Sequence, residues 1–214
     1  VTPTSQTLFG IGSITKTMTA TLLALRVNEG SVSLNDPVDT LLPSDYQIPK
    51  ITLLQLADME SGLAKNPAAP YPNPANETEL YTDLQTCVDA PGCWKGVNRY
   101  SYSNFAYGVL GNALANHDGG LPWSLDNFYY VMGPLGLFDT KSPADYYPSD
   151  FQSRRAQGYS RAGSSWVVSQ ATTIPFGVVP AGGLWSTPDD MLIWLGHAMG
   201  NLHSDNNVDA ALQK

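Results

Sequence analysis

One long apolar segment, residues 13–29, constrains the fold more than any other part of the sequence. Apolar residues, among them Met18, Leu22 and Leu25, occupy nearly all sides of the helix that this segment predicts. Gly30 follows where the C-terminal cap of a helix belongs. A helix that is apolar all round is typically buried at the centre of a domain. We therefore expect the rest of the chain to pack around this helix.

Helix signals dominate the remainder, and strand signals are few. Helix starts are predicted at Pro37, at two capping-box patterns (Thr52 with Gln55, Asn76 with Glu79), at Ser103 or Asn104, at Pro122 and at Thr187. The strand signals are two weak segments, residues 165–169 and 174–179. Four prolines within residues 66–74 predict a loop. The sequence thus indicates a mainly helical α+β chain.

Composition narrows the classes of function. The 214 residues are 43% hydrophobic and 14% charged, as in globular domains, and their net charge is −8. A chain this acidic, with no basic stripe, is not expected to bind nucleic acid. No apolar run reaches the roughly 18 residues that span a bilayer, so we expect no membrane span. The chain begins at Val1 without a starter Met or a leader, and we expect it to be processed or truncated.

The two cysteines, Cys87 and Cys93, are separated by a segment that contains a Pro-Gly turn. Such a turn would bring the thiols together, so we predict a disulfide and hence an oxidising compartment, periplasmic or extracellular. Two buried free thiols are the alternative. A zinc site would need histidines near the pair, and the nearest in sequence is His117. We therefore expect no metal and no cofactor. His117, near a helix end, is interpreted as a favourable charge at the helix C-terminus rather than as a base, and His197 and His203 are interpreted as surface residues.

The segment Gly-Ser-Ile-Thr-Lys, residues 12–16, carries the sharpest chemical signal. Ser13 would lie at a helix N-terminus, where unpaired backbone N–H groups favour developing negative charge. Lys16 follows one turn later on the same face, so its amine can reach the Ser13 hydroxyl. The helix dipole and burial both disfavour the ammonium form, and a neutral amine beside a hydroxyl makes an activated nucleophile. The alternative is that Ser13 is simply a helix cap.

A second signal is Tyr102-Ser103-Asn104. A phenol near a lysine can share its proton, and the Asn104 amide can contact both a lysine and a substrate carbonyl. The alternative is a surface aromatic residue before a helix cap. The pattern recurs at Tyr71-Pro72-Asn73, where the prolines favour a turn instead.

Four segments in order then resemble one family. Residues 8–20 look like the nucleophile segment of class C β-lactamases and of their carboxypeptidase and esterase relatives. Residues 100–111 are similar to the Tyr-x-Asn segment of these proteins and the helix after it. Residues 133–140 resemble their Pro-Leu-Gly-Met-x-x-Thr element, and residues 180–191 their Pro-Ala-Gly-Gly-Leu-x-Ser-Thr stretch. The chain is thus identified as a member of the penicillin-recognising serine hydrolases, a family that includes D-alanyl-D-alanine carboxypeptidases.

The resemblance implies a β-lactamase/transpeptidase-like fold and an acyl-enzyme mechanism. Ser13 would attack a carbonyl, Lys16 and Tyr102 would manage the proton, and Asn104 would orient the substrate amide. The substrate would be a β-lactam, a peptidoglycan peptide ending in D-Ala-D-Ala, or an ester. A non-catalytic binding protein that keeps the fold is the alternative of a different class.

The sequence departs from the family pattern in one respect that bears on its boundaries. It contains no Lys-Thr-Gly triplet after the Gly-Gly-Leu stretch, and no strands before the nucleophile helix. We therefore expect residues 1–214 to be a partial domain, mainly the helical subdomain with little of the antiparallel sheet. The missing strands would lie elsewhere in a longer protein or in a partner chain.

Overall fold

A computed structural model describes residues 2–46, 48, 50–68, 70–143, 151–169, 174–204 and 207–213. Its centre is helix α1, Thr15–Asn28, which buries Met18, Leu22 and Leu25. Gly30 ends the helix with φ at 73°, and its N–H donates to the Val27 carbonyl at 3.1 Å. This left-handed conformation suits glycine. The predicted central helix and its cap are confirmed.

The other helices surround α1. In chain order they are α2 (Leu53–Ala57), α3 (Glu77–Asp89), α4 (Asn104–His117), α5 (Trp123–Asn127), α6 (Phe151–Arg154), α7 (Val179–Gly182), α8 (Pro188–Ala198) and α9 (Asn207–Leu212). Single turns of 3-10 helix occupy Gly12–Ile14, Val38–Leu41 and Phe176–Val178, and a π-helical turn, Phe128–Met132, extends α5.

The predicted helix starts depend on caps that form as their spacing indicates. Thr52 and Gln55 make a complete capping box at α2. Asn76 caps α3 by accepting from Glu79 N–H at 2.9 Å. The Glu79 carboxylate, however, accepts from Ala75 N–H rather than from Asn76. Ser103 and Thr187 cap α4 and α8 in the same way, because their side chains accept from the N–H groups of Ala106 and Asp190. These starts are therefore set locally.

Two predictions about elements are wrong. Residues 174–179 form no strand, because they lead into the 3-10 turn Phe176–Val178 and then α7. The helix predicted at Pro37 is a short 3-10 helix, Val38–Leu41, with Pro37 in an extended conformation before it. The loop predicted over residues 66–74 is confirmed where the structure describes it.

The described strands make two small antiparallel pairs. Strand β1 (Phe9–Gly10) pairs with β4 (Trp185–Ser186), with Phe9 opposite Ser186. Strands β2 (Tyr159–Ala162) and β3 (Ser165–Val168) form a hairpin that is exposed along its whole length. The β1–β4 pair joins the segment before α1 to the segment after α7.

Helix α4 approaches α7 closely because two of its positions carry no side chain. A Cβ atom on Gly111 would lie 2.4 Å from Cβ of Pro180, and one on Gly108 would lie 2.5 Å from the Gly177 carbonyl oxygen. Both distances are shorter than any real contact, so glycine is required at these positions. This close packing presses α7 against the centre of the fold.

Cys87 and Cys93 form a disulfide, as predicted. The bond closes a short loop at the end of α3, and Trp94 follows it directly. The Trp94 indole donates to the Ser61 carbonyl oxygen at 3.0 Å. The disulfide therefore braces the backbone that leads from α2 into the proline-rich loop.

Charged side chains are buried at the C-terminal end of α1. The Arg26 guanidinium donates to Asp118 and Glu29, at 2.7 Å and 2.8 Å. Asp126 lies nearby with no exposed surface, and neither of its carboxyl oxygens has a hydrogen-bond partner among the described residues. Burial and the negative charge of Asp118 raise the pKa of Asp126 to about 8.

Candidate active site

Ser13 lies in the 3-10 turn Gly12–Ile14, which runs directly into α1. Its Oγ is 2.5 Å from the Tyr102 hydroxyl oxygen and 3.3 Å from Lys16 Nζ. The side chain is exposed, so a substrate can reach it. The spacing of Ser13 and Lys16 in the sequence thus produces the contact that it predicts.

Lys16 is buried and makes three hydrogen bonds. Besides Ser13, its Nζ donates to Asn104 Oδ1 at 2.8 Å and to the Ala181 carbonyl oxygen at 2.5 Å. These three acceptors come from three different parts of the chain and surround the amino group. The amine is therefore fixed in position beside the Ser13 hydroxyl.

Tyr102 is positioned by the residue that follows it. Ser103 accepts from Ala106 N–H and donates to the Ala64 carbonyl oxygen at 2.6 Å, which anchors the chain just before α4. Burial alone raises the pKa of Tyr102. Hydrogen bonding with Lys16 and Ser13 and the positive charges of Lys16 and Lys65 outweigh that effect and lower the pKa below the usual tyrosine value.

Asn104 is the first residue of α4, and its amide is held from both sides. Its Oδ1 accepts from Lys16, and its Nδ2 donates to Asn66 Oδ1 at 2.9 Å. Asn66 was not predicted as a site residue. It lies 38 positions earlier, in the proline-rich loop, and no local pattern signals the contact.

Helix α7 attaches to α1 through its backbone. Thr19 Oγ1 donates to the Pro180 carbonyl oxygen at 2.8 Å, and Leu184 N–H donates to Thr15 Oγ1 at 3.3 Å. Together with the bond from Lys16 to Ala181, these contacts fix the segment that resembles the family's Pro-Ala-Gly-Gly-Leu stretch. The segment therefore forms one side of the site.

The remaining segment of the resemblance, residues 133–140, contacts the chain around the start of α8 rather than the site. Thr140 Oγ1 donates to Asp190 Oδ2 at 2.8 Å and lies 2.8 Å from Ser186 Oγ. Backbone bonds also join Lys141 and Trp185 in both directions. These residues hold the chain before α6 against the start of α8, so their role is structural.

A cleft of about 320 Å³ opens beside Ser13. Its lining combines three asparagines, two glycines and several apolar residues, which are Asn66, Asn73, Asn104, Gly12, Gly182, Pro67, Pro72, Ile174, Pro175 and Val178.

Other titratable residues lie away from this cleft. Within the described ranges, no group of three or more His, Cys, Asp or Glu side chains is arranged to hold a metal ion. His117 is exposed, and so is His203, as expected. His197 is not a surface residue, because it is buried and its Nδ1 lies 2.7 Å from Asp209 Oδ1. Helix α9, which supplies Asp209, was not predicted and covers this histidine.

Of the helices in the described ranges, none combines the length and the hydropathy needed to cross a membrane.

Comparison with known proteins finds relatives that are named as carboxypeptidases or β-lactamases. The chain is 30% identical to a D-alanyl-D-alanine-carboxypeptidase/endopeptidase, AmpH of Escherichia coli (strain K12), over 91% of this chain and 50% of that protein. It is 32% identical to a beta-lactamase of Pseudomonas fluorescens, over 78% of this chain and 44% of that protein. The chain thus spans about half the length of the curated relatives that it matches.

Solved structures share the fold. A class C beta lactamase from Rhodobacter sphaeroides aligns with a TM-score of 0.80 at 28% identity, over 99% of this chain and 57% of that one. A D-alanine carboxypeptidase AmpC from Burkholderia cenocepacia aligns with a TM-score of 0.78 at 26% identity, over 98% of this chain and 55% of that one. The expected β-lactamase/transpeptidase fold, represented mainly by its helical subdomain, is confirmed.

The family profile named Beta-lactamase matches residues 1–214, the whole of the sequence. Its extent agrees with the four segments, the fold and the relatives described above. This chain belongs to the Beta-lactamase family.

Proposed function

We propose that the protein is a serine acyl hydrolase in which Ser13 is the nucleophile. One observation carries the proposal: the Ser13 hydroxyl lies within hydrogen-bond distance of both Lys16 Nζ and the Tyr102 hydroxyl. An ionised Tyr102 oxygen can accept the proton that Ser13 must lose to attack a carbonyl, and Lys16 beside it can stabilise that ionised form. A helix cap would need neither contact.

The reaction proceeds in two halves. Ser13 Oγ adds to the substrate carbonyl carbon while its proton passes to the Lys16–Tyr102 pair. The bond from that carbon to the leaving nitrogen or oxygen then breaks, and Tyr102 returns the proton to the leaving group. Water attacks the resulting ester, which releases the acid and restores the proton to Ser13. Asn104 orients the substrate amide, and the Ser13 backbone N–H is one donor to the oxyanion.

The substrate is an amide of the D-alanyl-peptide or β-lactam type. Support comes from the names of the relatives, which are carboxypeptidases and β-lactamases. Of the two, we favour the D-Ala-D-Ala peptide, because the long proline-rich loop before the cysteine pair is more typical of the carboxypeptidases. The Cys87–Cys93 disulfide supports a periplasmic or extracellular site of action.

The catalytic domain extends beyond residues 1–214 in this proposal. The strand with a Lys-Thr-Gly motif would form the other wall of the cleft and supply a second oxyanion donor. The coverage of the relatives, about half of their length, supports this view.

The test is covalent labelling followed by peptide mapping. Incubation with a fluorescent penicillin should label the protein, and mass spectrometry should find the adduct on the Ser13 peptide. The variants S13A and K16A should each abolish labelling, whereas Ser5→Ala, at an exposed serine upstream, should not. An adduct on another serine with Ser13 unmodified would contradict the assignment.

Turnover assays then separate the substrate classes. Rates with a D-Ala-D-Ala peptide, a chromogenic cephalosporin and a p-nitrophenyl ester distinguish a carboxypeptidase, a β-lactamase and an esterase. If the folded protein takes no label and turns over none of the three, it is a binding protein that keeps the fold.

A further inference from the structure

The paired glycines at the end of α7, Gly182 and Gly183, are required for different reasons. A Cβ atom on Gly183 would lie 2.8 Å from Val179 Cγ1 and 2.9 Å from Val179 Cα. The backbone atom cannot move aside without disturbing α7. Packing therefore accounts for Gly183.

Packing does not account for Gly182. The nearest atoms to a Cβ at this position are backbone atoms of Gly12, the closest of them at 3.6 Å, which is an ordinary van der Waals contact. Gly182 also lies inside the helical turn Val179–Gly182, in a backbone conformation open to other residues. Alanine would fit here, and it is favoured over glycine in a helix.

Gly182 lies in the wall of the cleft, so the absence of a side chain there affects the space that is open to a substrate. Gly182 lines the cleft beside Ser13, opposite Gly12, which has no side chain either. A larger residue at position 182 would extend from this wall toward the carbonyl-binding region. The wall of the cleft next to the nucleophile therefore carries no side chain at position 12 or 182, and the acyl group of a bound substrate would lie against this wall.

The rest of the described lining indicates what kind of acyl group fits. Asn66, Asn73 and Asn104 offer amide donors and acceptors, and Val178 and its neighbours offer apolar surface. None of the described lining residues carries an ionisable side chain apart from the Ser13 hydroxyl. Such a lining matches the alternating amides and small side chains of a peptide better than it matches a short alkyl chain.

We propose that Gly182 is a specificity-determining residue that keeps the cleft open for a bulky, uncharged, amide-bearing acyl group. This inference rests on the proposed acylation of Ser13 and specifies the substrate class of the same site. A side chain at position 182 would select against large acyl groups and would spare small ones more.

Two esters with one leaving group test the inference. The probes are p-nitrophenyl acetate and the p-nitrophenyl ester of N-acetyl-glycyl-D-alanine, so that only the acyl group differs. Release of p-nitrophenolate gives a second-order acylation constant for each, and the measured quantity is the ratio of the peptidyl to the acetyl constant. Filling a pocket with a few methyl groups typically changes selectivity by about tenfold or more. We expect Gly182→Val to lower the ratio by about that factor, and Gly182→Ala to lower it less.

A glycine outside the cleft is the control. Gly158→Ala, whose added Cβ would lie at an ordinary 3.7 Å from Ser169 Cβ, should leave the ratio as in the unchanged protein. A Gly182→Val protein that melts cooperatively with a ratio within twofold of the original would overturn the inference. If Gly182→Val does not fold, Gly182→Ala decides in the same way. If the unchanged protein is acylated by neither ester, the proposed function itself fails, which is a different outcome from an unaltered ratio.

Discussion

At the scale of single residues, the question is which group would take the proton from Ser13 in the proposed reaction. Lys16 Nζ already donates hydrogen bonds to Asn104 Oδ1 and to the Ala181 carbonyl oxygen. Tyr102 has its hydroxyl oxygen 2.5 Å from Ser13 Oγ, and its pKa is lowered. The geometry and the charges around it thus make the Tyr102 oxygen the better acceptor.

This leads to a prediction about pH. Since an ionised Tyr102 is the form that accepts the proton, the rate of acylation should fall as the pH falls below the Tyr102 pKa and should level off above it. That pKa is displaced downward, so the rise should occur at lower pH than for an ordinary tyrosine. Tyr102→Phe should lose about two or more orders of magnitude in rate together with the pH dependence.

The matched control is Tyr100→Phe, because Tyr100 is 72% exposed and lies two residues away. The measurement is the rate of labelling by a fluorescent penicillin between about pH 5 and pH 10, a span that covers a lowered tyrosine pKa. An unchanged profile in Tyr102→Phe would contradict this role.

Asn66 gives a second prediction, on a residue that the sequence did not signal. Without its Oδ1, the Asn104 amide loses one of the two contacts that fix it beside Lys16. A neutral hydrogen bond contributes about 1 kcal/mol, so Asn66→Ala should slow acylation by about fivefold. Asn201→Ala, at an exposed position after α8, should not. Equal rates in the two variants, measured by penicillin labelling, would show that the contact is dispensable.

A third prediction concerns Asp126, whose pKa is raised from 3.8 to about 8 by burial and by Asp118. Between these values the native state holds a proton that the unfolded chain has released. The stability from this proton is complete below pH 3.8 and is lost as the pH rises to about 8. The free energy of unfolding should therefore decrease over this window.

Asp126→Asn keeps the shape of the side chain and removes the titration, so its unfolding free energy should depend less steeply on pH. Asp45→Asn, at an exposed position, should retain the steep dependence. Denaturant melts at several pH values provide the comparison, and parallel curves for both variants would count against a protonated Asp126.

At the scale of elements, the close contact between α4 and α7 decides where the site forms. A methyl group on Gly111 would meet Cβ and Cγ of the Pro180 ring, which is closed onto the α7 backbone and cannot rotate away. Gly111→Ala should therefore destabilise the protein by about 1–3 kcal/mol, although alanine favours helix. It should also slow acylation, because α7 carries the carbonyl that binds Lys16.

The control for that experiment is Gly196→Ala in α8. There the added methyl group would meet the flexible end of the Leu202 side chain, which can move. Its unfolding free energy should be unchanged or slightly higher, as the helix propensity of alanine indicates. Chemical denaturation of both variants measures the free energy of unfolding. Similar decreases in the two variants would mean that the α4–α7 contact does not require glycine at position 111.

Elements whose ends depend on local chemistry were predictable, and elements fixed by distant contacts were not. The caps at Thr52, Ser103 and Thr187 act over three residues, so their patterns are visible in the sequence. Residues 174–179 include three β-branched residues and suggest a strand. They become helical turns because α7 is held by backbone contacts to α1, which local preference does not encode.

At the scale of the whole molecule, the same distinction applies to the site. Ser13, Lys16, Tyr102 and Asn104 belong to two local patterns, and the structure brings both patterns together. Their meeting could be expected only from the order of the four family-like segments. The contact with Asn66 and the burial of His197 by α9 depend on tertiary packing alone, and neither leaves a periodic signal.

The last prediction concerns the 214-residue chain as a catalyst. Ser13 is exposed, and Phe9 and Ile14 beside it are 38% and 46% exposed, which leaves this flank of the site open. Loss of one oxyanion donor typically costs about 100- to 1000-fold in turnover. We expect acylation by a fluorescent penicillin to be slower by about that factor than in the E. coli AmpH protein under the same conditions. Comparable rates would mean that some other group completes the site.

The bond from Lys16 to the Ala181 carbonyl joins residues that are 165 positions apart. Its two ends emerge from the ribosome at very different times, since synthesis adds about 5–20 residues each second. A nascent chain therefore carries its serine long before it can hold the lysine in place. In the proposed reaction Ser13 therefore depends on a segment made much later than itself, and products that stop short of α7 should not be labelled by a penicillin.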